Sequence, residues 1–255
     1  MKAMILAAGL GTRLRPLTDD RPKALVTVAG RTLLEIALRR LRAVDVSEVI
    51  VNTHHYAEMI LDYLEANSNF GMKIEVSNEE VLLDTGGGLK NAARFFLDAI
   101  QDFQEPFLLH NVDVLSTIDL GRMMRFHTEH DALATLAVQD RPTSRYLLFD
   151  QQDQLCGRRT VRIAQAEDPQ DELVRPAHHL LSLAFSGIHV ISPRIFAEME
   201  EEGAFPIIPA YLHLAARGEK IMAFRADEYY WRDLGRPDSL VQAAQDVASG
   251  VFSTN

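Results

Sequence analysis

The chain opens with a short apolar run, residues 3–8, that breaks into Gly9-Leu10-Gly11 and is followed by Arg13, Arg15 and Lys23. A run so short and so apolar predicts a buried strand. Glycines at its end let backbone N–H groups approach an anion that a Cβ would hold off. The arginines and the lysine then neutralise what the amides gather. A strand leading into such a turn is a place for phosphate, and it needs a fold in which buried strands end at a crevice. On the glycines alone the segment is equally a tight turn with solvated arginines, since a short glycine motif is a weak signal. A dinucleotide fingerprint fails on spacing, because its third glycine falls on Leu14. A Walker loop fails because no Gly-Lys-Ser/Thr follows.

Apolar runs alternate with amphipathic segments through residue 138. Residues 32–44 set Leu34, Ala37, Leu38, Leu41 and Val44 on one stripe and predict a helix. Strands are predicted at 49–53, 73–77 and 107–112, and helices at 56–67 and 88–100. This rhythm predicts an α/β fold with a doubly wound, mostly parallel sheet. Ligands in such sheets sit beyond the C-terminal strand ends. Residues 9–11, 52–55 and 111–113 all fall there. In the second half, strands are expected at 146–150, 156–163, 180–191, 220–225 and 229–231. A polar loop is expected at 167–175, and helices at 193–202, 206–217 and 237–248. No linker or internal repeat breaks the chain, so a single domain over 1–255 is expected, with an inserted lobe.

The balance of charge narrows the partners. A formal net charge of −10 argues against a nucleic-acid surface. It leaves room for a nucleotide, which a few local cations and a metal can hold. Cys156 is the only cysteine, so no intramolecular disulfide or cysteine-rich zinc site is available. No run approaches the ~18 apolar residues of a membrane helix. A soluble cytoplasmic protein with no membrane partner is the expectation.

The opening string, Leu-Ala-Ala-Gly-x-Gly-Thr-Arg-Leu-x-Pro-Leu-Thr followed by Pro22-Lys23, resembles the N-terminal signature of the sugar-1-phosphate nucleotidylyltransferases. That resemblance implies a Rossmann-like nucleotidyltransferase fold with a small sugar-side lobe. Residues 1–140 would be its nucleotide-binding part, 141–235 its sugar-binding part and 236–255 a C-terminal helix. It implies that Ala8, Gly9, Gly11 and Thr12 gather a nucleoside triphosphate. Arg13 would hold the β- and γ-phosphates, and Lys23 the α-phosphate and the phosphate of an incoming sugar 1-phosphate. Arg15 is a phosphate contact or a structural residue.

Asp113, at the tip of the predicted strand 107–112, is placed to hold a metal, and a solvated or capping aspartate is the plain alternative. The family writes this site Gly-Asp, whereas Val112 stands here. Trp231-Arg-Asp233-Leu-Gly235 resembles the family's W-x-D-x-G, which implies that Asp233 joins Asp113 in holding Mg²⁺, with Trp231 packing. Asp84-Thr85-Gly86-Gly87-Gly88 reads as glycines opening a helix with a free row of N–H groups. The family's comparable step packs Thr85, Gly86 and Gly87 against base and ribose. Glu79, or its neighbour Glu80, matches a position that accepts from the imide of uracil, so UTP is the favoured triphosphate. Asn111, Ser186 and Gly187 fall on the sugar side.

Asn52, His54 and His55 end a strand, where packing behind the site is the expected role for the histidines. His178 and His179 are expected in a surface loop. The Glu-Lys-Pro step common in glucose- and mannose-specific members is absent between residues 140 and 180. The compact layout is similar to that of the N-acetylmuramate-1-phosphate uridylyltransferases. Mannose-1-phosphate guanylyltransferases and choline-phosphate cytidylyltransferases are alternatives in the same class. A non-catalytic nucleotide-sugar-binding protein is the alternative of another class.

Overall fold

The computed structural model describes residues 1–97, 105–161, 170–177 and 179–254. The opening run forms β1 (Lys2–Leu6), and single 3-10 turns at Thr12–Leu14 and Lys23–Leu25 lead to a small hairpin, β2 (Thr27–Val28) and β3 (Arg31–Thr32). In α1 (Leu33–Arg42), the Thr32 hydroxyl accepts from the Glu35 N–H at 3.0 Å and caps the first turn. Next come β4 (Glu48–Thr53), α2 (Ala57–Ala66), β5 (Lys73–Asn78), α3 (Asp84–Asn91) and α4 (Ala93–Leu97). β6 (Phe107–Asn111), β7 (Val114–Ser116), α5 (Leu120–Glu129) and β8 (Ala134–Gln139) complete the first half. The second half holds β9 (Arg145–Phe149), β10 (Leu155–Thr160), β11 (Gln170–Leu173) and the long β12 (Leu181–Ile191). It ends with α6 (Ile195–Glu198), α7 (Ile207–Ala216), β13 (Ile221–Arg225), β14 (Trp231–Asp233) and α8 (Pro237–Ala248).

The main sheet has the order β11-β10-β9-β12-β6-β1-β4-β5, with β8 on β12 and β13 on β8. β1, β4, β5 and β6 are mutually parallel where they pair, and so are β8 and β13. β12 runs against β6, β8 and β9, and β10 runs against β9 and β11. Only β10 and β12 therefore oppose the common direction, and the sheet is mixed but mostly parallel. Side chains alternate between two cores, as the strand period demands. Ala3, Ile5, Val49, Val51 and Leu108 face α1, α2, α5 and α8. Met4, Ile50, Phe107 and Leu109 face α3, α4, α6 and α7. The sheet is doubly wound. No helix among the described residues is long and apolar enough to cross a membrane.

Several expected elements differ. The helix expected at 88–100 starts at Asp84 and breaks at Ala92, while residues 98–100 lie outside those described. The helix expected at 193–202 is the short α6, because Met199 turns extended and acidic Glu200-Glu201-Glu202 oppose a helix C-terminus. The expected loop 167–175 contains β11, whose residues are all exposed. Cross-strand pairs, Arg158 with Glu172 and Arg159 with Asp171, hold it to β10. A strand held by charges shows no apolar alternation to find. The strand expected at 229–231 lies at Trp231–Asp233. The strand expected at 156–163 is seen to Thr160, and residues 162–163 lie outside those described.

Two histidines are buried on neighbouring strands of the sheet, His110 on β6 and His189 on β12, on opposite faces. His110 Nδ1 donates to the Asn111 carbonyl at 2.8 Å, which leaves Nε2 a bare acceptor, and His189 Nδ1 meets the Tyr211 hydroxyl at 2.9 Å. Burial lowers His110 from 6.5 to about 4, helped by the Arg40 charge, and His189 to about 3. The unfolded chain protonates these rings near the ordinary value, and the folded chain does not. Their contribution to stability is therefore full above pH 6.5 and is lost as pH falls toward 4. Urea unfolding is expected to show a lower midpoint at about pH 5 than at about pH 7, with both imidazole resonances unmoved. Titration of either ring near its ordinary value in the folded protein would contradict this.

Candidate active site

The strand register sets the site. Leu6 of β1 lies opposite both Asn52 of β4 and Asn111 of β6, so three parallel strands end level. The Asn52 amide locks those ends: its oxygen accepts from the Ala7 N–H at 2.7 Å, and its nitrogen donates to Glu79 at 2.8 Å. Glu79 is 3% exposed, and its other oxygen accepts from the Leu83 N–H at 3.0 Å. On the other side the Val112 N–H donates to the Leu6 carbonyl at 3.1 Å. A cleft of about 310 Å³ opens above these tips, lined by Leu6, Ala7, Ala8, Gly9, Lys23, Asn52, Leu82, Asp84, Thr85, Asn111, Val112 and Asp113.

The glycine turn has two different requirements. A Cβ on Gly9 would meet nothing within 4 Å, so its backbone faces open space. Gly11 has φ +64, and a Cβ there would press Thr18, whose hydroxyl donates to the Gly11 carbonyl at 2.9 Å. Lys23 crosses the cleft to pair with Asp113, a residue 90 positions later. Their side chains are only 11% and 14% exposed, so the pair is poorly screened. β14 pairs with β7 so that Asp233 lies opposite Val114, and the Leu234 N–H donates to the Asp113 carbonyl at 2.8 Å. The two aspartates thus sit on adjacent segments. Asp233 accepts from the Gly235 N–H at 2.7 Å. Arg13 lies against Gly235, where any Cβ would come within 2.7 Å of a guanidinium nitrogen. A glycine at 235 makes room for that arginine.

Magnesium takes one or two carboxylates and fills its octahedron with water and phosphate oxygens. Asp113 and Asp233 fit that demand. Among the described residues, no group of three or more His, Cys, Asp or Glu is arranged for a metal, so Asp113 and Asp233 would be its two protein carboxylates.

Other expected residues stand elsewhere. The helix-opening glycines present no free row of amides: Gly86 and Gly87 N–H both donate to the Phe205 carbonyl, at 2.9 and 3.1 Å. All three glycines are buried, and a Cβ on Gly86 or Gly87 would collide with Phe205 or the Gly203 carbonyl. They are small because another segment packs on them. Thr85 lines the cleft, and its hydroxyl accepts from the Ile207 N–H at 2.9 Å. Ser186 is fully buried, with its hydroxyl lacking a partner among the described residues. Gly187 has φ +75 at an irregularity in β12, and a Cβ there would strike Val114 and Asn111. The backbone at 187 is covered by those side chains and does not offer the open surface a sugar ring needs.

Arg15 is exposed and pairs with Asp19 at 3.3 Å, on the solvent side of the turn. His54 Nδ1 meets the Glu79 carbonyl at 2.8 Å, and the His55 ring leans on Tyr56, both packing contacts as expected. His178 lies outside the described residues. Sequence reasoning assigned no site role to Leu82, Asp84 or Arg141. Leu82 and Asp84 line the cleft, and Asp84's place before Thr85 was the available signal. Arg141 stacks on Trp231 with its carbon 3.6 Å from the ring centre, and a lone Arg-Pro step gives no signal for that.

Comparison with known proteins places the chain in a family. The family described as Nucleotidyl transferase matches residues 2–250. The chain is 34% identical over 251 residues to the N-acetylmuramate alpha-1-phosphate uridylyltransferase of Caulobacter vibrioides, covering 96% of each chain. It is 29% identical to a mannose-1-phosphate guanylyltransferase of Mycobacterium tuberculosis, covering 98% of this chain but 65% of that longer protein. Among solved structures it superposes on a UDP-glucose pyrophosphorylase of Acinetobacter baumannii with TM-score 0.76 at 20% identity, covering 96% of this chain and 92% of the other. HddC of Yersinia pseudotuberculosis, complexed with GMP-PN, gives TM-score 0.71 at 21% identity, covering 96% and 98%. The structural likenesses carry the fold, and the sequence matches carry the lineage. This chain belongs to the nucleotidyl transferase family, as an enzyme of its sugar-1-phosphate nucleotidyltransferase class.

Proposed function

We propose that the protein transfers the uridylyl group of UTP to N-acetylmuramate 1-phosphate or a close relative, releasing pyrophosphate. One observation carries the reaction: Gly9, Lys23 and Asp113 meet in a single cleft at the level ends of β1, β4 and β6. Bringing two polyanions together needs cations and amides that are already in place, because reorganising them during reaction raises the barrier. The choice of substrates rests on coverage of 96% of both chains in the comparison with the Caulobacter enzyme. A mannose-1-phosphate guanylyltransferase is the second choice, favoured by the 29% identity to the mycobacterial enzyme over 252 residues.

In this proposal residues 1–140 serve the nucleotide and 141–235 the sugar. Ala8, Gly9, Gly11 and Thr12 wrap the triphosphate, and Arg13 steadies the departing β- and γ-phosphates. The Lys23 ammonium lies against the α-phosphate and the attacking phosphate, exchanging part of its bond to Asp113 for theirs. Glu79, the proposed acceptor for an imide N–H, is buried behind the cleft with both oxygens bonded, to Asn52 and to Leu83, so a base would reach it only at a lone pair these leave. Thr85 borders the nucleoside, and Asn111 the sugar. Ser186 and Gly187 act through β12, which shapes that side from behind. Asp113 and Asp233 would hold Mg²⁺, which when bound cancels charge between the two phosphates.

The direct test is four nucleoside triphosphates against a panel of sugar 1-phosphates, with pyrophosphate release as the readout. UTP with N-acetylmuramate 1-phosphate is expected to lead, and GTP with mannose 1-phosphate leading would install the second choice. Pyrophosphate from no pair would leave a binding protein instead. Lys23→Ala is expected to lower kcat/KM about 100-fold or more and to raise KM for both substrates. Wild-type kinetics in that variant would remove Lys23 from its role. Asp233→Asn is expected to abolish turnover with the thermal melt unchanged, and full activity at limiting Mg²⁺ would remove its metal role.

A further inference from the structure

Arg141 follows β8 and lies at the seam between the two halves of the chain. Its guanidinium stacks on the Trp231 indole, and one Nη donates to the Phe185 carbonyl at 2.7 Å. Trp231 is itself pinned, its Nε1–H donating to the Ser186 carbonyl at 2.8 Å. An indole pinned through its Nε1–H and packed on the core fixes the arginine that stacks on it. Trp231 and Asp233 are two apart on β14, so their side chains leave the same face of the strand. Arg141 therefore stands next to the carboxylate that ends this strand. Arg13 reaches the same segment at Gly235.

This arginine lacks the partner a half-buried cation normally has. Among the described residues no carboxylate lies within 4.0 Å of it. Its Nε is buried and unpartnered. Burial lowers its pKa, and the Asp233 charge opposes that shift. An arginine remains a cation under such a shift. Its planar fork is held by a ring and a carbonyl, with Nε unmatched. A cation held in this way, beside Asp233 and without a carboxylate of its own, suits an oxyanion at its second Nη. The triphosphate already has the glycine turn, Arg13 and Lys23. The second phosphate of the reaction has only a share of Lys23.

We propose that Arg141 is the cation that receives the phosphate of the acceptor sugar 1-phosphate, through the Nη that the Phe185 carbonyl does not take. This assignment rests on the nucleotidyl transfer proposed above. It explains how a chain without the Glu-Lys-Pro step gathers enough positive charge on the sugar side. It also gives Trp231 a second task, holding the guanidinium flat at the edge of the site.

The test compares the wild type with Arg141→Gln and Arg141→Lys. The Gln variant is expected to raise KM for N-acetylmuramate 1-phosphate about tenfold or more at saturating UTP. KM for UTP should stay within about twofold, and the Lys variant should recover part of the loss. The same loss with N-acetylglucosamine 1-phosphate, which lacks the lactyl carboxylate, supports the phosphate contact. A loss confined to the muramate substrate overturns it, as does an unchanged KM in a folded Gln variant. Phosphorus NMR line broadening of both sugar 1-phosphates, with α,β-methylene UTP present, needs no turnover. Broadening by the wild type and not by the Gln variant upholds Arg141 even where the substrate panel yields no pyrophosphate. Equal broadening by both, or none by the wild type, removes the assignment.

Discussion

Everything at the site depends on three parallel strands ending level, with Leu6 opposite Asn52 and Asn111. Parallel strands point all their C-terminal ends one way, and buried strands cannot leave those ends loose. Asn52 supplies the lock, joining the start of the glycine turn to the loop after β5 through Glu79. These bonds are buried, where an unmade partner would be costly. The glycine turn and the loop at 79–85 consequently face each other across a cleft of fixed width. Lys23 and Asp113 then meet across that cleft, though neither has any local reason to find the other.

The first half of the chain was legible because its signals are local. An apolar run of strand length and a stripe of helical period each report one element, and α1 with its Thr32 cap lies within the segment its stripe marks. The glycine turn and Asp113 were legible as types of residue at strand ends, and Lys23 by its place in the opening signature. Their convergence follows from the topology that the alternation implies. The second half was less legible for a physical reason. β11 is held by charge pairs, α6 is cut short by an acidic run, and β14 borrows its pairing from β7. None of these leaves a periodic apolar trace. Arg141 is invisible for the same reason, since its role is written in Trp231 and the Phe185 carbonyl rather than in its neighbours along the chain.

The glycines show how one residue type answers different needs. Gly9 leaves backbone open to the cleft, Gly86 and Gly87 make room for Phe205 and Gly203, and Gly187 satisfies a left-handed φ under Val114 and Asn111. Gly235 gives way to Arg13. Only the first of these is a surface a ligand can use. A glycine-rich string therefore marks close approach, and what approaches is as often the protein's own chain as a substrate.

In the proposed reaction the cleft holds both phosphates at once and transfer between them is direct. Reaction of UTP chiral at the α-phosphorus, bearing sulfur there, tests this most directly. Inversion at phosphorus in the nucleotide-sugar product is expected, as a single in-line displacement requires. Retention would require an even number of displacements, and so a covalent nucleotidyl-enzyme intermediate, and would contradict it.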